Sequence, residues 1–445
     1  MSQEVELFLK QNGIIELIDR DEFDEVFISA YKTGGIKLLR ELIDILQEAE
    51  ISGLNAYFSE MERNRIMSYF KFHPVGQGLF YTGSIANGYY NFVYDCGGFS
   101  GQACRKNAID EYVNSLSRFN DKKTDIDFVV ISHLHADHYN GINYLNSKTN
   151  IKRVYLPYIG TNRNFIALVL AGQVYEILQR GYDSDEVYSS LRFMLSLYEN
   201  VENGDFISYI GKNPNFENSN NAYQQTFLAS EYNGKAYWGF TMLNRRVSEI
   251  KLQKLEAKMH RVMHKYQVNN IYDLITAGNF QEIAKIYAET IGKNHNISST
   301  VLIHYPLFNF YNATYFANTH NIRDNTASFG RRKYLYEKYY NFVEESQAIS
   351  TLLTGDVEID KELADEIRQH LPDEKIGFLQ LPHHGSFKNY EQMVSEGLHS
   401  DINIASYGLG NKYKHPNRKT VDDLYAKEKK FYSANQYEFF DYWIN

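Results

Sequence analysis

The fold is decided by the stretch His133-Leu134-His135-Ala136-Asp137-His138, which directly follows the apolar run Phe128-Val129-Val130-Ile131. The apolar run predicts a buried strand, and the polar residues after it predict a loop that carries chemistry. Imidazole nitrogens and carboxylate oxygens are ligands that zinc, manganese and iron accept. The stretch therefore predicts a metal site, whereas the alternative is a polar loop whose histidines are solvated.

Short β-rich runs, several of them ending in glycine, lie on both sides of this stretch. The runs predicted to form strands are residues 79–81, 89–94, 128–132, 299–305, 350–353, 376–381 and 402–407. Between about 160 and 292 the pattern becomes mostly helical, with helices predicted near 165–180, 185–200, 245–266 and 279–291. We interpret this segment as an insertion rather than a continuation of the sheet. Residues 1–66 are predicted to form a separate helical module, followed by one domain over residues 67–445.

The composition is that of an ordinary globular protein. Of the 445 residues, 43% are hydrophobic and 23% are charged, which excludes collagen-like, coiled-coil and wholly disordered chains. The net charge of −9 argues against a protein that coats DNA through a global positive field. Only two cysteines are present, and no uncharged apolar run approaches the roughly 18 residues of a membrane span. We expect a cytoplasmic protein with no membrane partner.

The spacing HxHxDH at residues 133–138 resembles the signature of the metallo-β-lactamase-fold hydrolases, and three further motifs follow the family's order. Asp95, after Asn91-Phe92-Val93-Tyr94, resembles the family's first-strand aspartate. Asp356 in Leu352-Leu353-Thr354-Gly355-Asp356 resembles the aspartate that bridges two metals, and His384 in Pro382-His383-His384-Gly385-Ser386 resembles the late histidine ligand. The resemblance implies an α/β fold, an αββα sandwich of two mixed β-sheets with helices outside and the metals at one edge.

Within this superfamily the sequence is most similar to the soluble domain of the DNA-uptake competence proteins of the ComEC type. The similarity rests on Val75-Gly76-Gln77-Gly78, on the strings LLTGD and PHHGS, and on residues 410–416, GNKYKHP. It covers roughly residues 70–160 and 294–425. Only 28 positions separate Asp356 from His384, which leaves no room for the inserted domain of the β-CASP ribonucleases.

The resemblance implies a pair of divalent cations, Zn²⁺ or Mn²⁺, with one set of ligands for each. The predicted ligands of the first metal are His133, His135, Asp356 and His295, and those of the second are Asp137, His138, Asp356 and His384. His295 stands where the family has a third histidine, but His295-Asn296-Ile297-Ser298-Ser299 lacks the proline and glycine of the family's string, so His295 is alternatively a surface residue. A shared carboxylate offsets the repulsion between two cations about 3.5 to 4 Å apart.

Other residues are predicted to support this pair of metals. Asp95 is expected to accept the second ring N–H of a ligand histidine, and His383 is expected to lie just behind the ligands. The residues predicted to take part in catalysis are Asp137, His384 and His415; His415 could donate to a leaving oxygen or hold a phosphate, unless it is an ordinary loop histidine. The residues predicted to bind an anionic substrate are Lys412, Lys414, Arg418 and Lys419.

These features favour a metal-dependent hydrolase that uses a bridging hydroxide, and in particular a phosphodiesterase or nuclease. A two-metal clamp suits in-line phosphoryl displacement, and the basic residues suit nucleic acid or a small phosphodiester. Two alternatives stay open: a hydrolase of a small molecule such as a cyclic nucleotide, lactone or other ester, and a regulatory protein with a vestigial metal site. The N-terminal module could dock a protein partner.

Overall fold

The fold is described from a computed structural model. The structure describes residues 68–119, 124–157, 207–210, 222–229, 235–244, 249–269, 299–307, 315–319, 339–343 and 349–444, with a few isolated positions between 189 and 290. All of these residues lie in one compact unit, Met67–Asn445. The helical module predicted for residues 1–66 lies outside the described residues and stays a prediction. None of the helices in the described ranges is long and apolar enough to cross a membrane.

Strands make up most of the described fold. They are β1 (Ser68–Phe72), β2 (Phe80–Ile85), β3 (Tyr90–Cys96), β4 (Asp125–Ile126), β5 (Phe128–Val130), β6 (Asn150–Ile151), β7 (Val154–Pro157), β8 (Ile207–Ile210), β9 (Ala222–Ala229), β10 (Lys235–Asn244), β11 (Thr300–Pro306), β12 (Tyr315–Thr319), β13 (Tyr339–Val343), β14 (Thr351–Leu353), β15 (Ile376–Gln380), β16 (Ser400–Ser406), β17 (Lys430–Ala434) and β18 (Phe440–Ile444). Every run predicted to form a strand overlaps one of these, which confirms the strand pattern of the sequence.

The strands form two mixed sheets. The first has the order β13-β12-β18-β1-β2-β3-β5-β7-β8, and the second has the order β17-β16-β15-β14-β11-β10-β9. In the first sheet β3, β5, β7 and β8 are parallel, and in the second sheet β14 to β17 are parallel. Parallel strands are buried on both faces, which explains the nearly continuous apolar runs of β5 and β15.

The two sheets pack face to face through an aromatic core. Phe70 and Trp238 from opposite sheets have ring centroids 5.3 Å apart, and Phe378 stacks on Tyr442 at 3.8 Å. The hydroxyl of Tyr81 lies 2.8 Å from His304 Nε2 across the same interface. Burial lowers the pKa of His304 to about 3, so this ring is neutral and serves the core.

Helices cover both outer faces. The described helices are α1 (Gln102–Phe119), α2 (Ala136–Tyr139), α3 (Ile142–Lys148), α4 (Glu249–Lys265), α5 (Lys361–His370), α6 (Phe387–Ser395) and α7 (Arg418–Ala426). Tyr112 of α1 packs edge-on against Phe80 of the first sheet, with ring centroids 5.9 Å apart. Leu363 and Ile367 of α5 pack with Leu352 and Leu379 of the second sheet. The described residues therefore form a helix–sheet–sheet–helix sandwich, as the sequence predicts.

The interpretation of residues 160–292 as an insertion apart from the sheets is wrong for its described strands. β8 extends the first sheet beside β7, while β10 pairs with β11 and carries β9 in the second sheet. Trp238 and Met242 of β10 are fully buried, because this strand lies between two neighbours rather than on the surface. The helix predicted at 245–266 is confirmed as α4, and the other helices predicted here lie largely outside the described residues.

Candidate metal centre

The ends of four strands place the polar residues of the candidate site at one edge of the sandwich. Asp95 is the last residue but one of β3, and the stretch 133–138 follows β5 and runs into α2. Asp356 and His384 follow the parallel strands β14 and β15. Because parallel strands end at the same edge of a sheet, residues far apart in sequence meet there.

Asp95 is fully buried and holds the start of the histidine stretch. Its Oδ1 accepts a hydrogen bond from Ser132 N at 2.6 Å, and its Oδ2 accepts one from Ser132 Oγ at 2.6 Å. His138 Nδ1 donates to the same Oδ2 at 2.7 Å. With Nδ1 fixed in this way, the Nε2 atom of His138 faces the interior of the site. Asp95 thus binds the ring nitrogen of His138 that does not face the site, and its predicted supporting role stays a prediction.

Close backbone contact fixes the position of Asp137. A Cβ on Gly97 would lie 2.4 Å from the carbonyl carbon and oxygen of Asp137, so only glycine fits beside this peptide group. The carbonyl oxygen of Asp137 also accepts a hydrogen bond from Leu79 N at 3.2 Å. The glycines around β2 and β3 therefore let α2 approach the sheet closely enough to present the Asp137 and His138 side chains together.

Gln380 holds the turn that presents Asp356. The Oε1 atom of this buried side chain accepts hydrogen bonds from Thr354 N at 2.8 Å and from Gly355 N at 2.7 Å. Its Nε2 atom donates to Leu381 O at 2.9 Å. Gly355 has a φ of +54°, and a Cβ there would lie 2.9 Å from Ser132, so the turn needs glycine.

We expect Gln380→Ala to destabilise the fold by about 2 to 4 kcal/mol, because it leaves two buried backbone N–H groups without an acceptor. Chemical denaturation monitored by circular dichroism measures the change in the free energy of unfolding. Gln253→Ala, at an exposed position of α4, is the control and should change that free energy by less than about 0.5 kcal/mol. An equal effect of the two substitutions would contradict the role given to Gln380.

His384 enters the site from a strained turn. His383 and His384 have φ values of +50° and +56°, a region that residues with a Cβ rarely adopt. His384 Nδ1 donates to the carbonyl oxygen of Ser406 at 2.7 Å, which leaves Nε2 facing the other candidate ligands. Backbone strain of this kind persists where the surrounding structure fixes it, and it clusters at functional sites.

The candidate ligand atoms converge on Asp356. His133 Nε2 lies 3.6 Å from Asp356 Oδ2, while His138 Nε2 and His384 Nε2 lie 3.5 and 3.7 Å from Asp356 Oδ1. His384 Nε2 also lies 3.6 Å from Asp137 Oδ2. These separations exceed good hydrogen bonds, but they match the spacing of about 3.4 Å between two ligands at about 2.1 Å from one tetrahedral ion.

Two groups of side chains could each hold a metal ion. One comprises His133, His135 and Asp356, and the other comprises Asp137, His138 and His384. In each group the candidate ligand atoms lie within 4.8 Å of one another. The structure thus brings together six of the seven predicted ligands, while the seventh, His295, lies outside the described residues.

Three atoms at the middle of the site have no hydrogen-bond partner among the described residues. They are His138 Nε2, His384 Nε2 and Asp356 Oδ1, and all three are buried. A buried polar atom without a partner costs about 1 to 3 kcal/mol, so three that face one another are expensive unless something binds them. The donor set of imidazole and carboxylate fits divalent cations, and the residues present therefore fit the metal pair that the sequence predicts.

The electrostatics of the site favour bound positive charge. Although burial opposes ionisation, His384 and His383 hold the pKa of Asp356 well below its usual value. Burial also opposes the ionisation of Asp137, but a hydrogen bond from His384 and the charge of His138 outweigh it and lower the pKa of Asp137. Burial and the charge of His138 lower the pKa of His133, so its ring is neutral and can act as a ligand. Ionised carboxylates beside a neutral imidazole are the protonation states that a divalent cation requires.

Neighbouring aspartates also favour protonation of two of the candidate histidine ligands. Burial opposes protonation of His138, but Asp95 and Asp356 raise its pKa well above the usual value. His384 shows the same balance, since burial opposes protonation while Asp356 and Asp137 raise its pKa. Protons and metal ions compete for these nitrogens, so metal binding is expected to release protons.

His383 and His415 lie at the border of the site. His383 Nε2 is 3.8 Å from Asp356 Oδ2, and about a third of its side chain is exposed. The ring centroids of His383 and His415 are 5.4 Å apart. Burial, followed by the charges of His384 and His383, lowers the pKa of His415 to about 4, so the ring is neutral near pH 7. In that state His415 can donate a hydrogen bond, but it does not supply a positive charge.

The four basic residues predicted to bind substrate are all exposed. Arg418 pairs with Asp422 on its own helix, and its side chain is 92% exposed. Lys419 Nζ lies 5.3 Å from the ring centroid of Phe387. Lys412 and Lys414 belong to the same loop as His415, so these two are the better placed for a substrate at the site.

Sequence reasoning missed Ser132 and Gln380. Both make several buried hydrogen bonds to the loops that carry the candidate ligands. Ser132 directly precedes the histidine stretch, and this position was the one available signal for it. In the sequence, nothing distinguishes Gln380 from other strand residues. Its role depends on its hydrogen bonds to the turn at residues 354–355, which only the structure shows.

The described residues form a helix–sheet–sheet–helix fold with two groups of side chains that could hold metal ions at one edge. Residues 84–170 match the family model described as the metallo-beta-lactamase superfamily, so this part of the chain is similar to a domain of that superfamily. The matched segment contains Asp95 and the whole stretch 133–138. Members of the superfamily are mostly hydrolases. A comparison with curated proteins found no match. The similarity to the ComEC-type branch stays a prediction.

Proposed function

We propose that this protein is a metal-dependent phosphodiesterase that acts on nucleic acid. The observation that carries the proposal is the meeting of three buried atoms that have no hydrogen-bond partner among the described residues. His138 Nε2 and His384 Nε2 lie 3.5 and 3.7 Å from the third atom, Asp356 Oδ1. Left without a binding partner, each of these buried atoms would cost the fold about 1 to 3 kcal/mol. The arrangement suits a site that binds cations and uses them in hydrolysis.

Each residue has a part in the proposed site. His133, His135 and Asp356 would hold one divalent cation, and Asp137, His138 and His384 would hold the other, with Asp356 between them. When bound, the cation pair would lower the pKa of a water molecule and stabilise negative charge on a phosphate. Asp95 keeps the His138 ring oriented, and Gln380 keeps Asp356 oriented.

Substrate would approach from the side of His383 and His415. The neutral ring of His415 can donate a hydrogen bond to a phosphate oxygen, and Lys412 and Lys414 add positive charge beside it. These features favour an anionic phosphodiester over a neutral ester or lactone. The basic loop lies in a protein with a net charge of −9, so the attraction would be local.

An assay of the full chain on several substrates tests the proposal. The protein is stripped with a chelator and then supplied with Mn²⁺ or Zn²⁺, and cleavage of single-stranded DNA, double-stranded DNA, RNA, bis(p-nitrophenyl) phosphate and a simple lactone is measured. We expect metal-dependent cleavage of at least one nucleic acid and of bis(p-nitrophenyl) phosphate. Hydrolysis of the lactone alone would favour a small-molecule hydrolase. No turnover of any substrate with either metal would contradict an enzymatic role.

A further inference from the structure

A row of three aromatic rings leads from the candidate metal centre to the surface. It begins at His383, whose Nε2 lies 3.8 Å from Asp356 Oδ2. The ring of His415 follows at a centroid distance of 5.4 Å, and the ring of Tyr413 lies 6.0 Å further on, within 13° of parallel to His415. Parallel rings at such distances are offset-stacked, and the last ring of the row, that of Tyr413, is exposed to solvent.

Tyr413 is well exposed although it is large and aromatic. The residue keeps 45% of its surface accessible, while most large aromatic residues of the described fold are buried or half-buried. An exposed aromatic residue is common by itself and needs no explanation. Tyr413 differs from the other exposed tyrosines because it lies at the end of a row of rings that begins at His383, beside the candidate ligand Asp356.

The loop that carries Tyr413 is held firmly. Asn411 Oδ1 accepts a hydrogen bond from His415 N at 3.0 Å, and Asn411 Nδ2 donates to the carbonyl oxygens of Gly408 at 2.7 Å and His415 at 2.6 Å. Asn417 N donates to Gly385 O at 3.0 Å, which ties the end of the loop to the turn that presents His384. The ring therefore projects from a support that is fixed relative to the site, and a preformed support lowers the entropic cost of binding.

Positive charge flanks the ring on both sides in sequence. Lys412 Nζ lies 5.0 Å from the ring centroid of Tyr413, and Lys414 follows it as another exposed residue. An aromatic face between cations is the combination that proteins use for single-stranded nucleic acid, in which bases stack and phosphates pair with lysine. A duplex would bury its base faces, so only an unpaired base could use this surface.

We propose that Tyr413 is the stacking platform for an unpaired nucleobase of the substrate strand, with Lys412 and Lys414 contacting its phosphates. The inference deepens the proposed function and rests on it, since it assigns single-stranded DNA or RNA as the substrate class. The base on Tyr413 would belong to a nucleotide beside the phosphodiester at the metal centre. His415 would support the platform from below.

Binding without cleavage tests this inference independently of catalysis. Fluorescence anisotropy of the full chain in excess chelator measures the dissociation constant for labelled single-stranded DNA and for RNA of the same sequence. We expect Tyr413→Ala and Tyr413→Leu to weaken binding by about 5- to 100-fold, and Tyr413→Phe to bind like the wild type. Tyr425→Ala, which removes a 62% exposed tyrosine from α7, is the matched control and should not change binding.

Oligonucleotides that contain abasic sites separate stacking from charge. The effect of Tyr413→Ala should disappear on a fully abasic strand, because only the base contact is lost. Unchanged binding of single strands by Tyr413→Ala, or no binding by the wild type, would overturn the inference. If the wild type binds single strands through Tyr413 but does not cleave them with either metal, the proposed function fails while the platform stands. The melting temperature of each variant shows whether it is folded.

Discussion

Asp356→Asn will lower metal-dependent hydrolysis by about 10³-fold or more. Asp356 lies between both groups of candidate ligands, and among the described residues it alone has carboxylate oxygens that face histidines of both groups. An amide removes the negative charge that offsets two cations, and one of its atoms becomes a donor that cannot bind a metal. Turnover of bis(p-nitrophenyl) phosphate with Mn²⁺ or Zn²⁺ measures the loss.

The same substitution should also reduce the stabilisation of the folded protein by metal ions. Metal that binds the folded chain raises its melting temperature, and Asp356→Asn should remove most of that rise. Glu358→Gln is the matched control, because this carboxylate lies only two residues away but pairs with Lys388 at 2.7 Å on the surface. Activity of Asp356→Asn within a few-fold of the control would show that the bridging role is wrong.

Asp95→Asn will weaken both the fold and the site. The carboxylate of Asp95 is fully buried and accepts three hydrogen bonds, from Ser132 N, Ser132 Oγ and His138 Nδ1. The amide of asparagine keeps one oxygen as an acceptor, but its NH₂ group is a donor. At least one of the three donors around Asp95 would therefore lose its acceptor and face another donor. We expect a loss of about 2 to 4 kcal/mol in the free energy of unfolding and a loss of about 10- to 100-fold in metal affinity.

Two measurements separate these effects of Asp95→Asn. Denaturation in chelator gives the change in the free energy of unfolding, and isothermal titration calorimetry of the stripped protein gives the change in metal affinity. Asp401→Asn, a surface carboxylate that pairs with Lys429 at 2.7 Å, should change neither by a measurable amount. Wild-type metal affinity in Asp95→Asn would mean that the orientation of His138 does not depend on this contact.

The candidate ligands at residues 133–138 can be predicted from the sequence because they lie close together in the chain. Three histidines and an aspartate within six residues can hardly be explained without a ligand, and the strand before them is marked by its apolar run. Asp356 and His384 are recognisable because the strings LLTGD and PHHGS resemble motifs of a known family. No physical property of these residues alone would identify them as candidate ligands. That they meet the histidine stretch depends on the packing of two sheets, which the sequence does not display.

The contacts that the sequence does not predict are those between distant segments. β1 and β18 pair across nearly the whole described unit, with Phe70 opposite Tyr442. β8 and β10 fall in a segment whose overall pattern is helical, and each pairs with a strand from outside that segment, β7 and β11 respectively. Gln380 is a comparable case, since its role exists only in the folded turn.

Anomalous X-ray diffraction from crystals grown with Mn²⁺ or Zn²⁺ tests the central claim most directly. We expect two anomalous peaks per chain, one among His133, His135 and Asp356 and the other among Asp137, His138 and His384, with Asp356 contacting both. Peaks only on the protein surface, or none at this edge of the sandwich, would contradict the claim that these residues hold a pair of divalent cations.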